Sequence, residues 1–351
     1  MSREQKRIPP FDPKNVHITT KPLPLDAILR RLAQKTLNLS PEFQRNTVWN
    51  ITQQSKLIES LMLNIPIPLF YVSADENNKW DVIDGLQRLT AIKLFCMDKS
   101  IKLKGLEFFT SFNGRGFDDL PPIYSNRIME STFQFVIVEP TTDKYVKFNI
   151  FKRINTGGMS LNAQEIRHAM YYGQGTKFID DLIQSRAVKK VFGSASNQRM
   201  RQQETVLRSI SFLYYGFNNY PNDYDEDAFL CDCLMDLNSG NANFGELRER
   251  LLIGVNRSID LFQTNTFRLK KGVRMGSVNG SLFEVFVYWL SDIGDEEFKK
   301  LQQYGTGILD VINEKSKEKE FYRAISRDPW KKKNVLLRFS YIRELLWSYN
   351  V

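Results

Sequence analysis

The chain has 351 residues, 42% hydrophobic and 13% aromatic, enough for about two domains with apolar cores. Its net charge of +9 and pI near 9.3 favour a polyanionic partner, through counterion release and electrostatic steering. No apolar run approaches the roughly 18 residues that span a bilayer, and the opening "MSREQKRIPPFDPKN" lacks the apolar centre of a signal peptide. The expectation is a soluble, cytoplasmic protein with no membrane partner.

Only Cys96, Cys231 and Cys233 are present, so no disulfide framework is expected. Cys231 and Cys233 have no second ligand pair at zinc spacing and read as plain thiols. The two histidines, His17 and His168, have no neighbourhood suited to an HNH nuclease or a Ser/His/Asp triad.

In chain order, "PLDAILRRLAQKT" places Leu25, Ile28, Leu29 and Leu32 on one helical face. "TQQSKLIESLMLN" does the same with Leu57, Ile58, Leu61 and Met62 behind a Thr52 cap. Between them "LNLSPEFQRNTVW" reads as extended. "PLFYVSADENNKWDVID" is a β-hairpin turning over Asp75 to Lys79, and "FQFVIVEP" is a further strand. "DKYVKFNIFKRIN" is helical and breaks at "NTGG". "LNAQEIRHAMYYG" restarts a helix, with Asn162 and Glu165 at capping-box spacing and Gly173 as its stop. Beyond about residue 175, "TVLRSISFLYYGF", "FGELRERLLIGVNRSIDLF", "SLFEVFVYWL" and "NVLLRFSYIRELLWSY" all show helical spacing. The fold class is α+β, with an N-terminal domain over 1–175 and an all-helical domain over 176–351 that binds DNA or a partner.

The stretch "DVIDGLQRLTAIKLF" is a strand that stops at Gly85 and becomes an amphipathic helix. A helix N-terminus suits a phosphate group, and a glycine lets the backbone approach it closely. Arg88 in the first turn offers a fork for phosphate oxygens, and Gln87 a neutral donor. Asp84 would hold Mg²⁺, bond a ribose hydroxyl, or cap the helix. Two further stretches share this chemistry. "PEFQRNTVW" carries Gln44 and Arg45, and "RINTGGMSLNAQEIR" carries Asn155, a Gly157-Gly158 turn, Glu165 and Arg167. For each the plain structural alternative is a capped or anchored loop.

Taken in order, "PEFQRNTVW", "DGLQRLTAI" and "RINTGGMSLNAQEIRHAMYYG" make residues 17 to 175 resemble the restriction-associated domain at the N-terminus of GmrSD-type, modification-dependent restriction enzymes. That domain belongs to the ParB/sulfiredoxin-like superfamily. "DGLQR" stands for the family's Asp-Gly-Gln-Gln-Arg motif, with Leu86 replacing its first glutamine. The resemblance implies a ParB-like domain whose Gly85 to Arg88 turn holds nucleotide phosphates, with Asn155 and Glu165 near positions that serve the triphosphate and its Mg²⁺.

The function it implies is an NTP-binding and NTP-hydrolysing subunit of a DNA restriction or antiphage system that licenses cleavage of foreign or modified DNA. Asp84, Arg88 and Glu165 are the expected catalytic residues, Asp84 and Glu165 the metal ligands. Gln44, Arg45, Gly85, Gln87, Arg88, Asn155 and Arg167 surround the nucleotide. Many members end in an HNH domain, but no His follows residue 168 here. Glu297-Phe298-Lys299 after Asp292 is a weak nuclease signature on an exposed helix. The cut is therefore expected from a separate polypeptide or from an unrecognised site in the N-terminal domain, and the expected partners are DNA, a separate nuclease subunit and further copies of the chain. The alternative is a non-enzymatic, nucleotide-switched DNA-binding clamp or regulator; a third is a scaffold.

Overall fold

The computed structural model describes residues 16–39, 49–154, 162–193, 198–221, 226–271 and 274–349. By contact, Arg7–Leu161 form one unit and Asn162–Val351 belong to another. The division falls before the helix at Asn162, where the sequence alone put it at 175. Each unit has its own logic.

The first unit runs β1 (Ile18–Pro24), α1 (Leu25–Ala33), β2 (Leu37–Asn38), α2 (Ile51–Met62), β3 (Phe70–Ala74), β4 (Trp80–Asp84), α3 (Leu86–Ile92), α4 (Pro122–Glu130), β5 (Thr132–Val138) and α5 (Lys144–Ile154). Its five strands form one mixed sheet in the order β1-β5-β3-β4-β2. The β3–β4 hairpin is antiparallel, and β3 runs parallel to β5. Asp75 closes the hairpin by accepting the N–H groups of Asn77 and Lys79 at 2.9 and 2.7 Å. Alternate residues of β3 and β4, Phe70, Val72, Ala74, Trp80 and Val82, are buried, as period-2 patterning requires. The Phe70 ring stacks on Phe135 at 5.1 Å and meets Phe133 edge-on at 5.7 Å. Each such burial contributes roughly 1.5–3 kcal/mol.

The helices fold as their spacing predicts. Leu25, Ile28 and Leu32 of α1 and Leu57, Ile58, Leu61 and Met62 of α2 are buried. The cap of α2 is a correction: Asn50, not Thr52, accepts the Gln53 N–H at 2.9 Å, and Gln53 returns the bond to the Asn50 N–H. α2 also carries a buried acid. Glu59 accepts N–H groups from Glu107, Phe108 and Phe109 at 2.8 to 3.0 Å. Burial pushes its carboxyl up, but these bonds and Lys56 bring it below the ordinary value.

The second unit contains α6 (Ala163–Met170), α7 (Gln174–Gln184), α8 (Arg186–Phe192), α9 (Arg201–Tyr215), α10 (Glu226–Asn238), α11 (Phe244–Phe262), a short ribbon of β6 (Lys270–Lys271) and β7 (Arg274–Met275), α12 (Gly280–Asp292), α13 (Asp295–Gln302), α14 (Gly305–Lys315), α15 (Lys319–Tyr322) and α16 (Lys332–Ser348). Its described residues hold no strand apart from that ribbon, which the sequence did not signal. α6 ends at Met170, and Gly173 caps the start of α7 rather than stopping α6. α11 and α12 cross closely at Gly254, where a Cβ would lie 2.4 Å from the Val287 carbonyl oxygen. Their core holds an ion cluster. Arg338 Nε donates to Glu284 Oε1 at 2.8 Å and Arg208 Nε to Glu284 Oε2 at 3.0 Å, with Glu284 and Arg338 both wholly buried. Among the described residues, no helix is long and apolar enough to cross a membrane.

Candidate functional site

Strand β4 ends at Asp84, and Gly85 turns the chain into α3 with φ +96°. This left-handed conformation suits glycine. Space enforces the same choice, because a Cβ on Gly85 would lie 2.3 Å from the Phe70 ring. Among the described residues no side chain caps α3, whose N-cap position is Gly85, so Asp84 is not the cap that its position allowed.

Asp84 instead pairs with Arg88 four residues on, Oδ2 to guanidinium, at 2.8 Å. The same guanidinium donates to the carbonyls of Pro68 and, at 3.1 Å, Leu69. Its Cζ stands 4.5 Å over the Phe70 ring. The Arg88 side chain is 12% exposed against 37% for Asp84. Burial lowers the Arg88 pKa, and Asp84 opposes that shift. Arg88 thus ties the start of β3 to the end of β4 beneath the corner, with donors to spare from its five. Gln87 accepts the Trp49 N–H at 3.1 Å, so the segment before α2 reaches the same corner.

The corner therefore gathers Asp84, Gly85, Gln87 and Arg88 with Phe70 and Trp49. Sequence reasoning missed Phe70 as the shelf beneath Arg88 and Gly85. The signal was an aromatic at the first buried position of the preceding strand. Gln44, Arg45 and Asn155 lie outside the described residues.

Glu165 and Arg167 sit in the helical unit with local partners. Glu165 is buried and completes the Asn162 capping box: its carboxylate accepts the Asn162 N–H at 2.7 Å, and its own N–H donates to Asn162 Oδ1 at 2.9 Å. Arg199 lies 3.6 Å from the same carboxylate. Arg167 is wholly buried and bonds Asp227 and Gln164. The phosphate contact expected of Arg167 has no solvent-facing guanidinium to carry it.

Mg²⁺ tests this donor set. Asp84 fits, because Arg88 occupies Oδ2 and, among the described residues, Oδ1 has no hydrogen-bond donor. Glu165 fits less well, since its carboxylate already serves as a cap. Among the described residues no group of three or more His, Cys, Asp or Glu is placed to hold a metal.

The weak nuclease signature consists of engaged side chains. Asp292 pairs with Arg250 at 2.6 Å, Glu297 accepts the Gly294 N–H at 3.0 Å, and Lys299 pairs with Glu296 at 2.7 Å. Cys231 and Cys233 are buried and free, and burial pushes their thiols up to about 11 and about 12. They are not reactive at neutral pH. His168 is buried, 3.9 Å from Asp180.

Residues 28–172 match the family model described as GmrSD restriction endonuclease, N-terminal domain. No curated protein matches the chain, and no solved structure does.

Proposed function

We propose, for a chain whose residues 28–172 belong to the GmrSD restriction endonuclease N-terminal domain family and which is therefore a component of a restriction or defence system, that the Gly85 corner binds a nucleoside triphosphate. Its hydrolysis then licenses cleavage of foreign or modified DNA. The observation that carries this reading is the uncapped start of α3 behind a left-handed glycine, flanked by the half-exposed Asp84 and Gln87. Backbone N–H groups at such a turn, with the positive end of the helix dipole, suit a phosphate.

Each residue then has a role that its surroundings permit. The first-turn N–H groups receive phosphate oxygens, and Gly85, buried against Phe70, sets the turn that presents them. Arg88 holds Asp84 and the start of β3 in place and offers its remaining donors to the same oxygens. Asp84 supplies one carboxylate oxygen to Mg²⁺, which when bound offsets the charge on the phosphates. Gln87 fixes the Trp49 segment at the corner. The superfamily likeness of the "DGLQR" segment supports this assignment. Cutting then falls to a separate nuclease subunit or to another site in the N-terminal domain, since His168 and the Asp292–Lys299 signature are engaged locally.

Phosphate release by the purified chain, with Mg²⁺ and each NTP in the presence and absence of plasmid DNA, tests the reading. Turnover lost in Asp84→Asn supports it. Nucleotide binding without turnover would favour the DNA clamp instead.

A further inference from the structure

The helical unit segregates its charge. Between Asp181 and Glu204 the sequence holds Arg186, Lys189, Lys190, Arg199 and Arg201 and no acid; between Asp260 and Glu284 it holds Arg268, Lys270, Lys271 and Arg274 and no acid. In the rest of residues 162–351 acids outnumber bases. The fold brings the two stretches together. Arg268, just before β6, donates to the Val191 carbonyl of α8 at 3.2 Å and to the Gly276 carbonyl at 3.0 Å, which braces the ribbon against α8. Beside Arg268, between α8 and the end of α11, opens a recess of about 610 Å³ whose lining includes Lys190, Gln263, Thr266, Arg268 and Gln302, with Asp260 as its one acid.

We propose that this face, built from α8 and the β6–β7 ribbon, binds the phosphate backbone of duplex DNA. The proposal rests on the reading that DNA is this chain's target, and it assigns the contact to the helical unit. Lys189, Lys190 and Arg274 are exposed and have no ion pair among the described residues. Lys270 pairs with Asp310 at 2.9 Å, but both side chains are more than half exposed. Such a pair holds less than about 1 kcal/mol and yields to a phosphate. The ribbon's register sets Lys270 opposite Met275 and Lys271 opposite Arg274. Cross-strand partners share a face, so Lys270 and Arg274 lie on opposite faces. The Lys270 N–H donates to Asn313 of α14 at 2.8 Å and its ammonium pairs with Asp310 of the same helix, so the ribbon lies along α14 and Arg274, on its other face, is the cation free to meet a phosphate.

The test is fluorescence anisotropy of a labelled random-sequence duplex with the full chain, without nucleotide, across a salt series. The face variant Lys189→Gln/Lys190→Gln/Arg274→Gln is compared with Lys317→Gln/Lys319→Gln/Lys333→Gln, which removes equal charge elsewhere in the unit. The face variant should bind at least about tenfold more weakly at low salt, and its slope of log K against log salt should be smaller by about 2–3. The control should keep the wild-type slope. Equal losses in the two variants, wild-type binding by the face variant, no duplex binding by the wild type, or tighter binding of single-stranded RNA would each overturn the proposal. A calorimetric titration of the face variant with NTP separates failure here from failure at Gly85, because the proposal leaves nucleotide affinity unchanged.

Discussion

Arg88 and Asp84 face each other across the Gly85 corner at 2.8 Å, and the same guanidinium reaches back to the carbonyls of Pro68 and Leu69. One side chain thus joins the start of β3, the end of β4 and the first turn of α3. Any nucleotide chemistry at the corner inherits that brace.

The brace gives a first prediction. Arg88→Lys should lose about 1–3 kcal/mol of stability, because an ammonium cannot fork to three acceptors over the Phe70 ring. A urea midpoint within error of wild type would show that the three bonds contribute nothing net.

Gly85→Ala should cost more, about 2–4 kcal/mol. The left-handed backbone at φ +96° accounts for roughly 1–2 of this, and displacement of Phe70 for the remainder. Urea denaturation reads the change directly. A loss below about 0.5 kcal/mol would mean that the corner relaxes into another turn.

In the helical unit, Arg338→Ala should destabilise by about 3–5 kcal/mol, because it strands part of the wholly buried Glu284 carboxylate. The triple variant Arg208→Met/Glu284→Met/Arg338→Met, which removes every ion of the cluster, should recover a substantial share. If the triple variant is worse than the single one, the cluster is more than a mutual neutralisation.

Glu226 predicts a pH dependence. Burial, with Glu204 and Asp227 nearby, raises its carboxyl to about 8 against the opposing pull of Arg208. Below its ordinary value of 4.5 both the folded and the unfolded chain hold the proton. Between that value and about 8 only the folded chain does, so stability falls as pH rises through this window and levels off above it. Glu226→Gln removes the effect. Its stability relative to wild type should therefore grow from pH 5 to pH 8. A constant difference would place Glu226 in water.

Local signals in the sequence translated directly. The 3.6-residue spacing of Leu57, Ile58, Leu61 and Met62 gave α2, and the Asn162–Glu165 spacing gave a true capping box. The β3–β4 hairpin followed from its alternation and the Asp75 turn. β1 escaped because it is an edge strand whose residues are nearly all exposed, so it carries no alternation. Arg167 read as a phosphate ligand because its partner Asp227 lies 60 residues away, and no local pattern announces such a pair. The Asp84–Arg88 pairing has ordinary i,i+4 spacing, yet its inward direction depends on Phe70 and the Pro68–Leu69 carbonyls, which only the folded sheet supplies.

The central claim is that a nucleoside triphosphate binds at the Gly85 corner. It is tested most directly by calorimetric titration of the full chain with ATP, GTP, CTP and UTP in Mg²⁺, alongside Asp84→Asn and Gln87→Ala. The account predicts saturable binding of at least one triphosphate at one site per chain, weakened at least about tenfold in both variants while their far-UV circular dichroism stays that of wild type. Failure of all four nucleotides to bind the folded wild type, or unchanged affinity in both variants, would contradict it.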